Sequence, residues 1–131
     1  MSGGYLIDTH VWLWWNGAPE QLSAEAREVI ANGKNDVLFS VTSGWEIAIK
    51  HGIGKLRLPN NPERYVPERL AANRMRVLPV ALSHALRVAA LPHHHRDPFD
   101  RLLISQAQQE GLILITADEA FSPYDVSLLR T

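Results

Sequence analysis

Five short, mainly apolar runs are the feature that most limits how this chain can fold. They are residues 5–7, 37–41, 76–80, 112–116 and 126–129. Each is too short for a helix, and a continuous apolar run of this length is typical of a strand buried on both faces. Segments with helix-start signals separate the runs, so we expect helices to connect parallel strands and to cover both faces of the sheet. The predicted fold is therefore α/β, with three layers and a central parallel sheet of four to five strands.

The helices are predicted from their start and stop signals. Ser43-x-x-Glu46 has the form of a capping box, and the helix that it begins should end at Gly52. Further helices are expected over residues 63–74 and 83–91. The clearest helix begins with Asp97-Pro98, an N-cap acid followed by proline at the first helical position.

The composition narrows the class of protein. The 131 residues are 46% hydrophobic and 21% charged, which fits one folded domain of ordinary size over residues 1–131. No apolar run approaches the ~20 residues that a membrane span needs, and the first residues lack the pattern of a signal peptide. Cysteine is absent, so disulfides, thiolate zinc sites and cysteine nucleophiles are excluded. A reducing cytoplasm is the expected location.

The net charge of −1 is the sum of two unequal parts. Residues 50–76 contain seven Lys or Arg and two Glu, whereas the remainder of the chain is acidic. Such a basic stretch is either a solvated face or a surface that contacts RNA phosphates, and both interpretations stay open at this point.

Three acids lie where predicted strands end or where the following helices begin. Asp8 directly follows the first strand, Asp118 follows the fourth by one residue, and Glu46 belongs to the predicted capping box. Each of them also has a purely structural explanation, as a turn or cap residue. Lys50 is in addition the i+4 partner of Glu46.

Asp100 is harder to explain by structure alone. On a helix that begins at Pro98, its neighbours at positions 103, 104 and 107 are Leu, Ile and Ala. An acid on such a buried stripe is costly unless something neutralises it. Capping does not require it, because Asp97 already serves as the N-cap.

Taken together, the acids indicate a metal site. In a doubly wound sheet the carboxyl ends of the strands form one rim, where α/β proteins bind their ligands. Four carboxylates at this rim repel one another unless some are protonated or a cation is bound. Oxygen ligands without cysteine favour Mg²⁺ or Mn²⁺. Beside a basic surface, such an ion indicates hydrolysis of a phosphodiester.

The motifs resemble those of PIN-domain ribonucleases. They are Leu6-Ile7-Asp8-Thr9-His10, Ser43-x-x-Glu46, Asp97-Pro98-Phe99-Asp100-Arg101-Leu102-Leu103 and Leu114-Ile115-Thr116-Ala117-Asp118. In motif order and chain length they most resemble the VapC-type toxins of bacterial toxin–antitoxin pairs. The resemblance runs from about residue 5 to residue 121. It implies a PIN-like fold, a Mg²⁺-dependent endoribonuclease, and a small cognate antitoxin that inhibits it.

Carried over by position, the resemblance assigns roles to individual residues. The catalytic acids are Asp8, Glu46, Asp100 and Asp118, and three of them (Asp8, Asp100 and Asp118) are the expected metal ligands. Asp97 and Thr116 are expected to support these acids, Asp97 chiefly as the N-cap and Thr116 as a hydroxyl beside the last acid. The expected RNA-binding residues are Lys50, Lys55, Arg57 and Arg96.

Two aromatic groups have open roles. Consecutive residues in an extended loop point in alternating directions, so we expect His93-His94-His95 to contact phosphate, helped by Arg96, rather than to bind metal. Trp12, Trp14 and Trp15 belong to the core by default. One helix cannot turn all three inward, so we expect part of this surface to receive an antitoxin segment or to support a homodimer.

Two other functions compete with this interpretation. A metal-dependent phosphatase of the haloacid-dehalogenase type needs a second acid two residues after the first, where this chain has His10. A response-regulator receiver needs an acid after a middle strand, but residues 76–80 are followed by Ala81-Leu82. A non-catalytic α/β binding module stays open.

Overall fold

A parallel sheet of five strands forms the centre of the computed structural model, which describes residues 4–131. The strands are β1 (Tyr5–Ile7), β2 (Val37–Ser40), β3 (Arg76–Leu78), β4 (Ile113–Thr116) and β5 (Leu128–Arg130). Their order is β3-β2-β1-β4-β5, and every pairing is parallel. The predicted parallel sheet is confirmed, with the fifth strand at an edge.

Six α-helices connect and cover these strands within residues 4–131. They are α1 (Thr9–Gly17), α2 (Ala24–Ala31), α3 (Val41–Gly52), α4 (Pro62–Asn73), α5 (Leu82–Arg87) and α6 (Pro98–Glu110). Short 3₁₀ turns lie at Pro19–Gln21, Val88–Ala90 and Glu119–Phe121. None of the helices in the described part of the chain is long and apolar enough to cross a bilayer.

Each face of the sheet has its own hydrophobic core, because successive strand residues point to opposite faces. On one face, Ile7, Phe39 and Ile115 pack with Trp12 of α1 and Ile47 of α3. On the other face, the strand residues Leu6, Leu38 and Leu114 pack against Leu103 and Ile104 of α6. The predicted three layers are therefore confirmed.

Helix α3 begins earlier than predicted, and its cap is Ser40 rather than Ser43. The Ser40 hydroxyl accepts a hydrogen bond from the Thr42 N–H at 2.9 Å. Ser43 lies in the first turn and accepts from the Thr9 hydroxyl at 2.7 Å. The predicted capping box of Ser43 and Glu46 is therefore wrong. The physical reason is that β2 passes directly into α3, so the last strand residue serves as the cap.

The helix predicted over residues 83–91 is shorter than expected. Helix α5 ends at Arg87 and is followed by the 3₁₀ turn Val88–Ala90. Its N-cap is Ala81, which has no side-chain acceptor, and the His84 ring accepts the Ala81 N–H at 2.9 Å instead.

Most of the expected aromatic surface of α1 lies inside the protein. Trp12 is fully buried, and Trp14 and Trp15 are half-buried against the same core. Large exposed apolar side chains lie on α3 and at its end, four residues apart: Val41, Trp45, Ile49 and Ile53. A homodimer stays a prediction.

Candidate active site

The sheet order brings the ends of β1, β2 and β4 together. The chain winds from β1 to β3 on one side and then crosses to β4 and β5 on the other. Ligands of open α/β sheets bind at such a switch point, beside the carboxyl ends of the strands. A cleft of about 380 Å³ lies there. The residues that line it are Asp8, His10, Trp14, Glu46, Lys50, His95, Asp97, Asp100, Ala117 and Asp118.

Asp8 is held at the end of β1 by contacts with β4. Its backbone N–H donates to the Ile115 carbonyl at 3.0 Å, and its Oδ2 accepts from the Thr116 hydroxyl at 2.9 Å. Thr116 Oγ1 in turn accepts the Asp118 N–H at 3.0 Å. Thr116 therefore lies between the two acids and links the ends of two neighbouring strands, whereas the sequence placed its hydroxyl only beside Asp118.

Glu46 enters the cleft from α3 and is only partly satisfied. Its Oε2 lies 2.5 Å from the Lys50 Nζ. Its Oε1 is buried and has no hydrogen-bond partner among the described residues. A buried carboxylate oxygen without a partner is costly. The cleft therefore has a place at Glu46 for a donor or a cation.

Asp97 and Asp100 lie at the start of α6 and differ in environment. Asp97 is the N-cap, as predicted, and accepts the N–H groups of Phe99 at 2.8 Å and Asp100 at 3.2 Å. The Asp100 side chain is 14% exposed, and its Oδ2 lies 2.7 Å from His95 Nε2. Because Asp97 alone caps the helix, the buried position of Asp100 has no capping explanation.

Asp118 is the most exposed of the four predicted acids. Its side chain is 47% exposed and accepts the Ala120 N–H at 2.9 Å, which caps a short 3₁₀ turn. Its Oδ2 lies 4.0 Å from His95 Nε2. Asp118 is therefore at once a cap and a wall of the cleft.

His95 lines the cleft, but the sequence did not single it out from the histidine run, which was expected to contact phosphate. Within the described residues, His95 is the member of the histidine run that contacts the acids, and His94 packs its ring against Tyr124. His95, Asp100 and Asp118 offer ligand atoms that all lie within 4.8 Å of one another. The available signal was the position of His95 just before the Asp97 cap, on the loop that leads into α6.

The acids shift one another's protonation. Burial, with added repulsion from Glu46 and Asp118, raises the pKa of Asp8 to about 6, although the Thr116 hydrogen bond opposes the shift. Burial and the nearby charges of Asp8 and Asp97 raise the pKa of Asp100 to about 7. The hydrogen bond to Glu46 raises the pKa of Lys50. The cleft thus has more negative charge than its own cations balance.

Two of the four predicted RNA-binding residues line the clefts, and the other two are exposed near them in sequence. Lys50 lines it, and Lys55 lines an adjoining cleft of about 260 Å³ that shares His10, Glu46 and Lys50 with the first. Arg57 is exposed two residues beyond Lys55. Arg96 is exposed and follows His95.

The chain belongs to the PIN-domain family, whose model matches residues 5–126. It is similar to ribonuclease VapC22 of Mycobacterium tuberculosis, with 28% identity over 86% of this chain and 85% of that protein. It is 38% identical to ribonuclease VapC16 of the same organism over 61 residues, 47% of this chain and 42% of that protein, so the match spans less than half of that relative.

A solved structure confirms the fold. It is VapBC2 from Rickettsia felis, in complex with a DNA fragment from its promoter. The match has a TM-score of 0.72 and 16% sequence identity, and it covers 96% of this chain and 97% of that one.

We predict that Asp100→Asn stabilises the metal-free protein in a pH-dependent way. The raised pKa of Asp100 means that ionising this group lowers the free energy of unfolding. The contribution of the neutral group to stability is fully present below about pH 4 and is lost as the pH rises through about 7. In EDTA, urea denaturation should give free energies of unfolding similar to wild type at pH 4. At pH 7.5 the variant should be more stable by about 1–3 kcal/mol. Asp125→Asn, an exposed control, should change little at either pH. A wild type that is the more stable protein at pH 7.5 would contradict the assigned burial cost.

Proposed function

We propose that this chain is the toxin of a toxin–antitoxin pair, a metal-dependent endoribonuclease that hydrolyses phosphodiester bonds in cytoplasmic RNA. The observation that carries the proposal is the convergence of four carboxylates at the switch point of the sheet. Membership in the PIN-domain family supports it, as do the relatives named as ribonucleases.

The residues of the cleft fit a hard divalent cation. The acids provide only oxygen ligands, which Mg²⁺ and Mn²⁺ prefer. Lys50 pairs with one oxygen of Glu46, but the buried Oε1 has no partner among the described residues. Burial, with added repulsion between the acids, raises the pKa of Asp8 and of Asp100, so a bound cation would stabilise their charged forms. We propose Asp8, Asp100 and Asp118 as the ligands, with Glu46 beside them. When bound, the ion supplies an acidified water and offsets charge on the phosphate.

The chain's own residues prepare this site. Thr116 donates to one oxygen of Asp8 and so orients this carboxylate at the end of β1. Asp97 supports the site indirectly, because it caps α6 and so holds the turn that presents Asp100. Lys50 pairs with Glu46 and lines the cleft, where its ammonium group can bind a phosphate oxygen of the substrate.

We predict that Asp100→Asn separates catalysis from folding. The variant keeps the shape of the side chain but loses the charge that holds a cation, so RNA cleavage should fall by more than the ~10–100-fold that loss of a supporting residue costs. Asp97→Asn is the matched control in the same turn. Asn caps helices as well as Asp does, so cleavage should fall far less. Excess EDTA should abolish wild-type cleavage. Full activity of Asp100→Asn would place catalysis at another site, and cleavage that continues in EDTA would contradict metal dependence. A wild type that binds RNA but does not cleave it would favour a non-catalytic binding module.

We propose that RNA reaches the acids along the adjoining cleft. Lys55 lies on its wall, and Arg57 is exposed just beyond it. The shared residues Glu46 and Lys50 connect the two clefts, so an RNA strand that contacts Lys55 can continue into the cleft of the acids. Arg96 is exposed and directly follows His95, which lines the acidic cleft, so it can contact the same RNA.

We predict that replacing Lys55 and Arg57 with Gln weakens RNA binding and flattens its salt dependence. If both contact phosphates, the slope of log K against log salt should fall by about 1.4 for a single strand. The measurement is a fluorescence-anisotropy titration of a single-stranded oligoribonucleotide in EDTA at several salt concentrations. Arg27→Gln with Lys34→Gln removes two exposed cations of α2 and of the turn before β2 and should leave the slope unchanged. The same slope in both double variants would place the RNA elsewhere.

We propose that a small antitoxin inhibits the chain at the same cleft. Helix α1 presents His10 and Trp14 to the acidic cleft and Leu13 to the adjoining one, so its surface can guide a partner's segment towards Asp8. The guanidinium group of an arginine matches paired carboxylates and can occupy the place of the cation. A solved toxin–antitoxin complex from Klebsiella pneumoniae, to which this chain is similar in fold, supports a protein partner.

We predict a strong energetic coupling between Asp8 and a basic residue of the antitoxin. The test is a double-mutant cycle on the affinity of the complex, with Asp8→Asn in this chain and alanine in place of the partner's basic residue. The expected coupling energy is about 1.5 kcal/mol or more, as for close charge pairs across interfaces. Asp125→Asn should show a coupling near zero. A coupling energy near zero for Asp8 as well would exclude this mode of inhibition.

A further inference from the structure

The hydrogen bonds of the His95 ring define which of its two nitrogens carries the proton. Its Nδ1 accepts the backbone N–H of Arg96 at 3.1 Å. In a neutral imidazole one nitrogen donates and the other accepts, so the proton lies on Nε2. Nε2–H therefore donates to Asp100 Oδ2 at 2.7 Å. The ring has no free lone pair for a metal ion in this arrangement, since a ligand role would require the proton on Nδ1 and the loss of the Arg96 contact.

The backbone of His95 is held as firmly as its ring. The His95 N–H donates to the Tyr124 hydroxyl at 2.8 Å. Arg101 is 7% exposed, and its guanidinium group donates to that hydroxyl and to four carbonyls of the preceding segment. These carbonyls belong to Val88, Leu91, Pro92 and His95. Arg101 directly follows Asp100, so one turn of α6 holds both partners of the histidine–carboxylate contact.

The surroundings of the ring also fix its direction. It packs edge-on against Phe121 with centroids 6.2 Å apart, and Phe121 lies in the turn that Asp118 caps. His95 is thereby placed between the start of α6 and the segment that follows β4. The ring thus contacts the Arg96 N–H, Asp100 and Phe121, and these three contacts fix its orientation towards the carboxylate.

We infer that His95 is a positioning residue of the cation site: its Nε2–H holds Oδ2 of Asp100 and leaves Oδ1 to bind the ion. The inference rests on the proposed metal-dependent function. Hydrogen bonds to ligating carboxylates fix their orientation, and loss of such a partner weakens metal affinity about 10–100-fold. The side chain of His95 is 21% exposed, so its truncation removes little from the hydrophobic core.

The test measures Mn²⁺ binding directly, by electron paramagnetic resonance of the free ion at pH 7.5. His95→Ala should raise the Kd for Mn²⁺ about 10–100-fold. His95→Gln should recover most of the affinity, because its amide N–H₂ can donate to Asp100. His93→Ala, an exposed neighbour in the same run, should match the wild type. Tyr124→Phe, which removes the acceptor of the His95 N–H but keeps the imidazole, should weaken binding by a smaller factor than His95→Ala.

The possible outcomes distinguish failure of the positioning role of His95 from failure of the proposed metal-dependent function. Wild-type protein that binds no Mn²⁺ would overturn both. Wild-type binding with unchanged or tighter binding in His95→Ala would overturn the inference alone. Equal losses in His95→Ala and His95→Gln would also overturn it, because they would mean that the imidazole binds the ion directly.

Discussion

The double pairing of β1 is the constraint on which the remaining structure depends. This three-residue strand pairs with β2 on one side and with β4 on the other. Leu6 and Ile7 are fully buried, one in each core. The next residue, Asp8, continues the contact through its N–H bond to Ile115. Because the strands are parallel, all three end at the same rim, and segments far apart in sequence meet there.

The cleft is electrostatically unfavourable, and the fold tolerates it because both cores are extensive. Burial raises the pKa of Asp8 and of Asp100, which means that their charged forms are destabilised where they lie. Local contacts offset part of this cost, notably Thr116 at Asp8, Lys50 at Glu46 and His95 at Asp100. Unfavourable burial of charge is typical of functional sites, and a ligand that binds there stabilises the folded protein.

Helix α6 connects the cleft to the second core. Its inward face provides Leu103, Ile104 and Ala107 to that core, and its first turn presents Asp100 to the cleft. Arg101 adds a polar anchor between them, because its guanidinium group holds the loop that carries His95. The position of the site is therefore coupled to the packing of a rigid helix, as precise binding of a small ion requires.

Local signals in the sequence were enough for the strands, for the Asp97 cap and for the rim on which the acids lie. Short apolar runs end before Asp8 and Asp118, and parallel strands must end on one side. Asp100 stood out because an acid on an apolar helix stripe needs a partner. These inferences depend on residue spacing along one element, which the sequence states directly.

Only the tertiary structure decided what depends on contacts between elements. Ser40 rather than Ser43 caps α3, because the strand continues into the helix and leaves Ser43 to bond with Thr9 of α1. The burial of Trp12 depends on the core formed by several helices. His95 could not be singled out from its two neighbours, because its backbone is held by Tyr124, 29 residues away, and its ring packs against Phe121. Spacing along the chain determined which acids share an edge, whereas long-range packing decided which side chains hold them there.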